Sequence, residues 1–459
     1  MPSLPLPVHS YRLDSITANN CRLINCFAEA VPEGKQPIRL TRAPGIVTFS
    51  SPTTGAGRGI HQMAGVLYAV VGSTLYSISS TGTATSIGTI GGSSPCWMTD
   101  NGTQLVIGSD GGTWYVYQSA TLAAIADADF TARGARAAEF IDNYIAFVEP
   151  NSGRWFISDL ADADSFDSLN FATAEGAPDN LITLAVDHRE VILFGDESTE
   201  LWYNSGVAGF PFERSPGGFI ELGAVAVHGH CKADNSVFWL ASDLTIRRLD
   251  GRTPRRVSHH GVEERLRGYS TVTDCEAYAY TFNGHLCAVF RFPTAGETWV
   301  YDITTSEWHE RETYGDDGWN ISGVEECYDK VLVQDSASGA IGYLSNSTYT
   351  EFGTTQRAEW TYQNVYSDNW RFPHSSLEIV CETGVGLATG QGSDPQLTLE
   401  ISNDGGRTWT TLPTRTIGAQ GEYKTRVRWH RLGSSRDRVY RCSISDPIQL
   451  CITDTILTT

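Results

Sequence analysis

The stretch that decides the fold runs from residue 66 to residue 78 and reads VLYAVV-GS-TLYSI. It contains two short runs of apolar and aromatic residues that are joined by the turn dipeptide Gly72-Ser73. Glycine supplies the positive φ that tight hairpin turns need, and β-branched and aromatic side chains favour strands. The stretch therefore predicts an antiparallel β-hairpin.

The same strand–turn–strand pattern occurs seven times between residues 66 and 343, although the seventh copy is weaker. The second strand of each copy begins at Leu75, Trp114, Trp155, Leu201, Thr245, Trp299 and Ile341. A period of roughly 40 to 50 residues is typical of β-propeller blades, which bury their faces by stacking around an axis. We expect a propeller of six or seven blades, and the alternative is a series of β-meanders in two sandwiches.

After about residue 356 the repeat ends and a region of alternating strands begins. About 100 residues with six or seven such strands indicate a β-sandwich. The predicted strands are 359–366, 377–382, 396–402, 425–429, 439–444 and 448–454. We expect an all-β chain with an extended N-terminal arm and first strands at 1–55, a propeller at 56–356 and a sandwich at 357–459. One short helix is predicted at 262–266, with Ser258 as a possible cap.

The charge of the chain is concentrated in one part of it. The formal net charge is −20, from 53 acidic and 33 basic residues among 459. Residues 357–459 carry 11 of each sign, so the whole acidic excess lies in residues 1–356. This balance argues against tight binding of nucleic acid, because such binding needs cations that neutralise phosphates.

The ends and the cysteines give two further expectations. The opening residues 1–7 carry no basic segment followed by an apolar run, and the sequence has no stretch of about 18 apolar residues. We therefore expect synthesis in a cytoplasm and no membrane insertion. The ten cysteines form no Cys-x-x-Cys pair, so we expect reduced and mostly buried thiols.

A sharp local motif, SNDGGRTW, occupies residues 402–409. It matches the Asp-box pattern, which is carried by Ser402, Asp404, Gly406, Thr408 and Trp409. The aspartate can accept hydrogen bonds from its own turn, and the glycines supply positive φ. We interpret the motif as a structural turn, although Asp-boxes also recur in sialidase propellers.

A basic run follows the Asp-box. Lys424, Arg426 and Arg428 alternate along a predicted strand and therefore share one face, and Arg431 follows them. Arg436, Arg438 and Arg441 continue the run, opposed only by Asp437. We interpret Lys424, Arg426, Arg428 and Arg431 as a candidate assembly interface for an acidic partner, and the alternative is a solvated strand face.

A search for catalytic or ligand-binding motifs finds no phosphate-binding loop, nucleophile elbow or zinc-protease helix. His228, His230 and Cys231 could donate to a metal, but no carboxylate is placed beside them, so we expect no metal site. The acidic residues Asp127, Asp129, Asp162, Asp164 and Asp167 lack the pattern of a calcium loop and are expected in solvated turns. We expect no catalytic residue, cofactor or metal.

Three regions resemble the packaged-DNA stabilisation family, the tail hub or nozzle proteins of short-tailed bacteriophages. The first is NCFAE at 25–29 with PEGK at 32–35 and Pro44-Gly45, the second is FATAEGAPD at 171–179 with FGDESTELWYNSG at 194–206 and PFER at 211–214, and the third is the Asp-box with RWHRLG at 428–433. The middle region is the most specific of the three.

The resemblance implies a structural virion protein without enzymatic activity. Such proteins form a homohexameric ring below the portal and the tail adaptor, extend the DNA channel, help retain the packaged genome and contact tail fibres or tailspikes. Genomic DNA would pass in transit without tight binding. The alternatives are a sialidase-like or carbohydrate-binding tail propeller and a receptor-binding adhesin.

Overall fold

The structure is a computed structural model that describes residues 4–16, 18–34, 36–53, 55–368 and 370–459. Lys35, which belongs to the first family-like region, and residues 1–3 of the opening lie outside the described residues. The chain is all-β, with a β-propeller followed by a β-sandwich, as the sequence predicted.

The N-terminal segment contributes six strands to four different sheets. They are β1 (Tyr11–Arg12), β2 (Asn20–Cys21), β3 (Leu23–Ile24), β4 (Cys26–Ala30), β5 (Ile38–Arg42) and β6 (Gly45–Ser50). β1 pairs with β2, while β3, β4 and β5 join the sheets of the sandwich and β6 joins the propeller. The boundaries at 55/56 and 356/357 stay predictions, and the pairing adds that residues before 55 belong structurally to both domains.

Six four-stranded antiparallel blades follow in chain order; the first five are separate sheets, and the sixth is part of a larger sheet. Blade one contains β7 (Gly57–Met63), β8 (Val66–Val71), β9 (Thr74–Ile78) and β10 (Ala84–Thr89); blade two, β11 (Trp97–Asp100), β12 (Leu105–Gly108), β13 (Tyr115–Gln118) and β14 (Thr121–Ala124); blade three, β15 (Ala138–Ile141), β16 (Tyr144–Val148), β17 (Arg154–Ile157) and β18 (Phe171–Thr173). Blade four contains β19 (Leu181–Asp187), β20 (Glu190–Gly195), β21 (Thr199–Asn204) and β22 (Phe212–Ile220); blade five, β23 (His230–Ala233), β24 (Ser236–Leu240), β25 (Ile246–Asp250) and β26 (Thr253–Arg256); blade six, β27 (Glu276–Phe282), β28 (His285–Phe292), β29 (Glu297–Asp302) and β30 (Glu307–Glu310).

The seventh blade takes its outermost strand from the N-terminal segment. Its first three strands are β31 (Ile321–Cys327), β32 (Lys330–Asp335) and β33 (Ile341–Ser345), and β6 pairs antiparallel with β33 as the fourth. Two short strands, β34 (Thr350–Glu351) and β35 (Thr354–Thr355), extend this sheet beyond β6. The innermost strands β31 and β7 are neighbours, so the ring closes with seven blades.

Buried tryptophans connect neighbouring blades of the propeller. Trp114, Trp239 and Trp308 are fully buried, and the indole N–H of each donates to a backbone carbonyl at a blade boundary, at 2.9, 3.2 and 3.0 Å. Burial of large aromatic side chains is strongly favourable once the polar N–H has a partner. These residues therefore fix how neighbouring blades stack.

The sandwich completes the fold. Its strands are β36 (Ala358–Thr361), β37 (Val365–Tyr366), β38 (Phe372–Pro373), β39 (Ser376–Cys381), β40 (Gln396–Ser402), β41 (Thr410–Thr411), β42 (Arg415–Thr416), β43 (Val427–His430), β44 (Ser434–Ser435), β45 (Asp437–Ile444) and β46 (Cys451–Thr458). One sheet has the order β4-β5-β46-β39-β43, and the other includes β3-β36-β45-β40-β41. Trp360, Leu377, Trp429 and Tyr440 are buried between them.

The two helices of the described residues differ from the sequence expectation. α2 (His260–Gly268) is longer than the predicted 262–266 and is capped by His259, so the Ser258 cap was wrong. Ser258 Oγ instead donates to the buried Glu263 at 2.7 Å. α1 (Ala128–Arg133) was missed because it is short, and Asp127 is its N-cap rather than a solvated turn residue.

Candidate functional site

One continuous sheet joins the propeller to the sandwich through strand β3. β3 pairs in parallel with β30 of blade six and antiparallel with β36 of the sandwich. The outer edge of blade six therefore continues into the sandwich as an 11-stranded sheet. Because backbone hydrogen bonds are made on both sides of β3, the two domains are held in one orientation.

Glu310 is the charged centre of this junction and is only 4% exposed. Arg22 Nη2 lies 2.6 Å and Arg12 Nη1 lies 3.3 Å from Glu310 Oε2. Burial opposes ionisation of this carboxyl, but the two guanidinium charges outweigh it and hold the pKa of Glu310 below its usual range. Both arginines come from the N-terminal segment, so the ion pairs fasten that segment to blade six.

Two further arginines are buried where the domains meet. The Arg311 guanidinium stacks over the Trp319 ring, 4.1 Å from its centroid, and lies 3.4 Å from Glu351 Oε1. Arg42 donates to the backbone carbonyl of Ile448 at 3.1 Å, and burial lowers its pKa to about 10. No sequence pattern marks these residues, because their partners are distant along the chain and no spacing rule applies.

The innermost strands of the propeller enclose a cavity of about 330 Å³ on the axis. Its wall includes His61, Glu139, Lys232 and Glu325. A space of 330 Å³ would hold about ten water molecules at the density of the liquid, which is far less than a segment of duplex DNA occupies. Duplex DNA therefore does not pass along the axis of a single propeller.

The axial cavity contains carboxyl groups in two different states. Asp100 Oδ2 lies 2.7 Å from His61 Nε2. Glu139 and Glu325 have no ion-pair partner among the residues that the structure describes, and burial raises the pKa of each to about 7. These two side chains therefore change charge near neutral pH.

The histidines that sequence analysis weighed as metal donors lie in the wall of this cavity. His228 and His230 pack beside the Trp97 ring, with ring centroids 5.0 and 5.6 Å away. Burial lowers the pKa of His228 to about 4 and that of His230 to about 3, so both are neutral at pH 7. Within the described part of the chain, no three His, Cys, Asp or Glu side chains are arranged to hold a metal ion.

The four residues of the candidate assembly interface have different environments in the structure. Arg426 makes a two-pronged contact with Glu378, at 2.7 and 2.6 Å, and Arg428 donates to Ser376 Oγ at 2.7 Å. Both arginines are thus engaged within their own sheet. Lys424 and Arg431 are exposed; Lys424 precedes the start of strand β43, and Arg431 follows its end. The four residues therefore do not form one free basic face.

The Asp-box residues come together in a hydrogen-bonded turn. Asp404 accepts from the hydroxyls of Ser402 and Thr408, both at 2.6 Å, and these bonds hold the pKa of Asp404 below its usual range. Gly406 has a φ of 99°, which favours glycine, and donates to Ser402 Oγ at 2.8 Å. Trp409 is half-buried beneath the guanidinium of Arg441, at 4.1 Å.

The loop between β17 and β18 holds the other acidic residues. Asp162 Oδ1 accepts from Gln104 Nε2 at 3.1 Å, and Asp167 Oδ1 accepts from the backbone of Leu169 at 2.9 Å. The Asp164 side chain is largely exposed, but partial desolvation of its carboxyl and the neighbouring carboxylates of Asp162 and Asp127 raise its pKa.

All ten cysteines are free thiols, and eight of them are buried. No helix among the described residues is long and apolar enough to span a membrane.

Two family models match the chain. The model of the bacteriophage P22 Gp10 β-propeller matches residues 19–349, and the model of the bacteriophage P22 Gp10 β-sandwich matches residues 359–457. A comparison with curated proteins gives no match.

Several solved structures are similar to the chain. The computationally designed Ika8 protein is 15% identical with a TM-score of 0.40, and the similarity covers 74% of this chain and 98% of that one. The β-propeller domain of Cps50 (Swd1) from Myceliophteria thermophila is 10% identical with a TM-score of 0.42, covering 65% and 99%. BamB from Moraxella catarrhalis is 12% identical with a TM-score of 0.40, covering 75% and 98%.

Proposed function

The chain belongs to the bacteriophage P22 Gp10 family and is a structural protein of a phage tail, and on that premise we propose that it forms the nozzle or hub at the distal end of a short tail. Six copies form a ring below the tail adaptor and extend the DNA channel. The ring helps retain the packaged genome and contacts tail fibres or tailspikes. The role is mechanical, with no catalytic step.

The observation that carries this proposal is the way in which the N-terminal segment ties the molecule together. Strand β6 closes blade seven, β3 extends blade six, and β4 and β5 build one sheet of the sandwich. Opening the propeller would therefore also require disrupting the sandwich. A component that retains DNA must resist deformation, and this shared strand pairing supports such a role.

The charge distribution supports a channel that DNA traverses without sticking. Residues 125–223, which span blades three and four, carry 18 acidic and 5 basic residues. Because the axial cavity is too small for DNA, the conduit in this proposal runs between copies, and acidic blade surfaces line it. Such surfaces repel phosphate and leave DNA free to move.

The sialidase-like alternative needs arginines that are free to bind a substrate carboxylate. The arginines of blade five are the densest group in the propeller, but each is paired with a carboxylate of the protein. These pairs are Arg247–Asp243, Arg248–Asp234, Arg252–Glu190, Arg255–Asp250 and Arg256–Glu263. This observation favours the structural role.

The test removes the chain from the phage that encodes it and compares the particles with those complemented by the wild-type protein. We expect particles that package DNA but fail to retain it, measured as genome accessible to added nuclease. Complementation should restore both retention and infectivity. Particles that keep their DNA and infect normally without the chain would contradict the proposal.

A further inference from the structure

The sandwich has one end that the rest of the chain leaves uncovered. Strand register brings three loops together there, since Tyr366 lies opposite Asp437, Ser402 opposite Val439 and Ser376 opposite His430. We call the end formed by the described residues of the segments 362–368, 370–375, 403–409 and 430–436 the sandwich tip; these segments consist of loops and the short strands β37, β38 and β44. It combines two features that monomeric surfaces usually avoid.

The first feature is exposed aromatic surface. Tyr366 is 72% exposed and Trp370 is 76% exposed, and both belong to the same loop. Large aromatic rings are normally buried at least in part, since exposing them forfeits their hydrophobic stabilisation. Two such rings on one loop indicate a surface that another molecule covers.

The second feature is a set of arginines without acidic partners. Arg371, Arg407, Arg431 and Arg436 are all exposed, and no described carboxylate lies within ion-pair distance of any of them. Arg371 donates to Ser434 Oγ at 2.8 Å, and Arg407 donates to the carbonyl of Asp404 at 2.9 Å. Their charges are therefore not neutralised within the chain.

The composition of the tip fits a protein partner with an acidic and apolar surface. Tryptophan, tyrosine and arginine are the residue types enriched at the energetic centres of protein interfaces, where lysine is depleted. The partner must supply carboxylates for the arginines and apolar side chains for the rings.

A complementary surface exists on blade three of the same molecule. The loop between β17 and β18, which we call the blade-three loop, exposes Leu160 to 62% and Leu169 to 75%. Asp162, Asp164 and Asp167 lie between these leucines in the sequence, and none of them has a described cationic partner within ion-pair distance. The loop thus offers both the carboxylates and the apolar side chains that a partner of the tip must supply.

The two surfaces are placed for contact between copies rather than within one copy. The sandwich continues blade six, and blade three is three positions away in a ring of seven, almost across the axis. Strand β3 runs parallel to β30 and antiparallel to β36, so β36 runs in the opposite direction to β30. The end of β36, which leads into the tip, therefore lies on the same side as the start of β30. The loop between the third and fourth strands of blade six is on that side. The blade-three loop is the corresponding loop of its own blade, so both surfaces lie on one propeller face.

We infer that the sandwich tip of one copy docks onto the blade-three loop of a second copy. The contact joins two different surfaces, and repetition of such a contact closes a ring when the rotation permits. The inference rests on the proposed function, because it names the contact that builds the ring of tail components. It also moves the candidate interface from Arg426 and Arg428, which are engaged by Glu378 and Ser376, to the sandwich tip, which contains Arg431.

The test is a charge swap followed by sedimentation velocity of the purified full chain at low and high salt. Arg431→Glu with Arg436→Glu reverses the tip, and Asp162→Lys with Asp164→Lys reverses the loop. Each double variant should weaken self-association at least tenfold, because like charges then face each other across the contact. The quadruple variant restores opposite charges and should recover most of the association. Lys424→Glu, beyond the other end of β43, is the matched control and should associate as the wild type does.

Trp370→Ala provides a second test that does not depend on charge. It should weaken association at both salt concentrations, whereas Tyr423→Ala, which removes an equally exposed ring in a different loop, should not. A wild-type chain that stays monomeric at every concentration, equal loss in the Lys424→Glu control, or a quadruple variant that is no better than the doubles would overturn the inference. Failure of the proposed function is separate, since it would appear as absence of the wild-type chain from purified tails.

Discussion

The junction at β3 and the sandwich tip are both rich in arginine, yet their arginines are used in opposite ways. At the junction, Arg22 and Arg12 converge on the buried Glu310, and Arg311 is buried against Trp319 and near Glu351. At the tip, four arginines are exposed beside aromatic rings and have no described carboxylate partner. The junction joins the chain to itself, whereas the tip remains available to another molecule.

This difference shows that the number of arginines does not distinguish a contact within the chain from an interface with another molecule. What distinguishes them is whether each arginine has a carboxylate partner in its own chain. The basic run illustrates the point, because Arg426 and Arg428 look free in the sequence but contact Glu378 and Ser376 in the structure. Charge reversal should therefore have different consequences in the two regions. At the junction it should lower the stability of the fold, and at the tip it should weaken the association of copies.

Glu310→Ala should have the largest effect on stability. It leaves Arg12 and Arg22 without their buried counter-charge, and breaking a buried ion pair by removing one partner costs about 3–5 kcal/mol. Urea unfolding followed by tryptophan fluorescence measures the loss. Glu307→Ala is the matched control on the same strand, because Glu307 contacts His9 at the surface and such pairs contribute about 0–1 kcal/mol.

The comparison would fail if the two variants unfolded at the same urea concentration. Equal midpoints would mean that the Glu310 cluster contributes no more than a surface pair. The junction would then depend on strand pairing alone, and its arginines would not differ energetically from those of the tip.

The axial carboxyls test an intermediate case, since they are partly buried in the cavity wall, whereas Glu310 is fully buried, and they are unpaired like the arginines of the tip. The pKa of Glu139 and that of Glu325 are raised to about 7 in the folded state, so folding favours their protonated forms. Their stabilising contribution is fully present below pH about 4.5 and is lost as pH rises through 7. The wild type should lose stability on the order of 5 kcal/mol between pH 5 and pH 8 from this source, about half of it from each glutamate.

Glu139→Gln with Glu325→Gln should remove this pH dependence, because glutamine stays neutral. The double variant should match the wild type near pH 5 and exceed it at pH 8, as measured by urea midpoints. Glu326→Gln, the exposed neighbour of Glu325, should leave the pH profile unchanged. A double variant with the pH profile of the wild type would show that the cavity is well hydrated and that the carboxyls ionise normally.

Arg426→Ala should have the smallest effect. Arg426 is an exposed side chain that contacts Glu378 within its own sheet, and exposed ion pairs contribute little to stability. Neither the unfolding midpoint nor the self-association of the chain should change measurably. Loss of association in this variant would mean that copies meet through strand β43 and its flanking residues. The arginines of the tip would then not be the ones that form the interface.

The sequence predicted the propeller because the second and third strands of each blade are continuous apolar runs. Strands such as β8 and β9, or β28 and β29, are the pairs that the repeat revealed. The first and fourth strands were not found, because the inner ones carry polar residues such as Glu139 that face the axis. Outer strands such as β26 are exposed and carry arginine and proline. Burial on both faces produces a sequence signal, and burial on one face does so less clearly.

The role of the N-terminal segment could not be predicted in the same way. Its strands are two to six residues long, and β3, β5 and β6 pair with strands about 300 to 400 residues later, so no local period marks these pairings. The Asp-box was recognisable because all its hydrogen bonds are local. The basic run was visible, but its partner Glu378 lies on another strand. Local chemistry was predictable, and pairing across the fold was not.

The most direct test of the account is a cryo-electron microscopy map of the tail that contains this chain. We expect the chains side by side in a ring around the DNA path, with the propeller axes closed to DNA. Trp370 and Arg431 of each copy should contact Leu160 and Asp164 of the next. A map in which DNA threads a propeller, or in which the sandwich tip faces solvent while the copies meet through strand β43, would contradict the account.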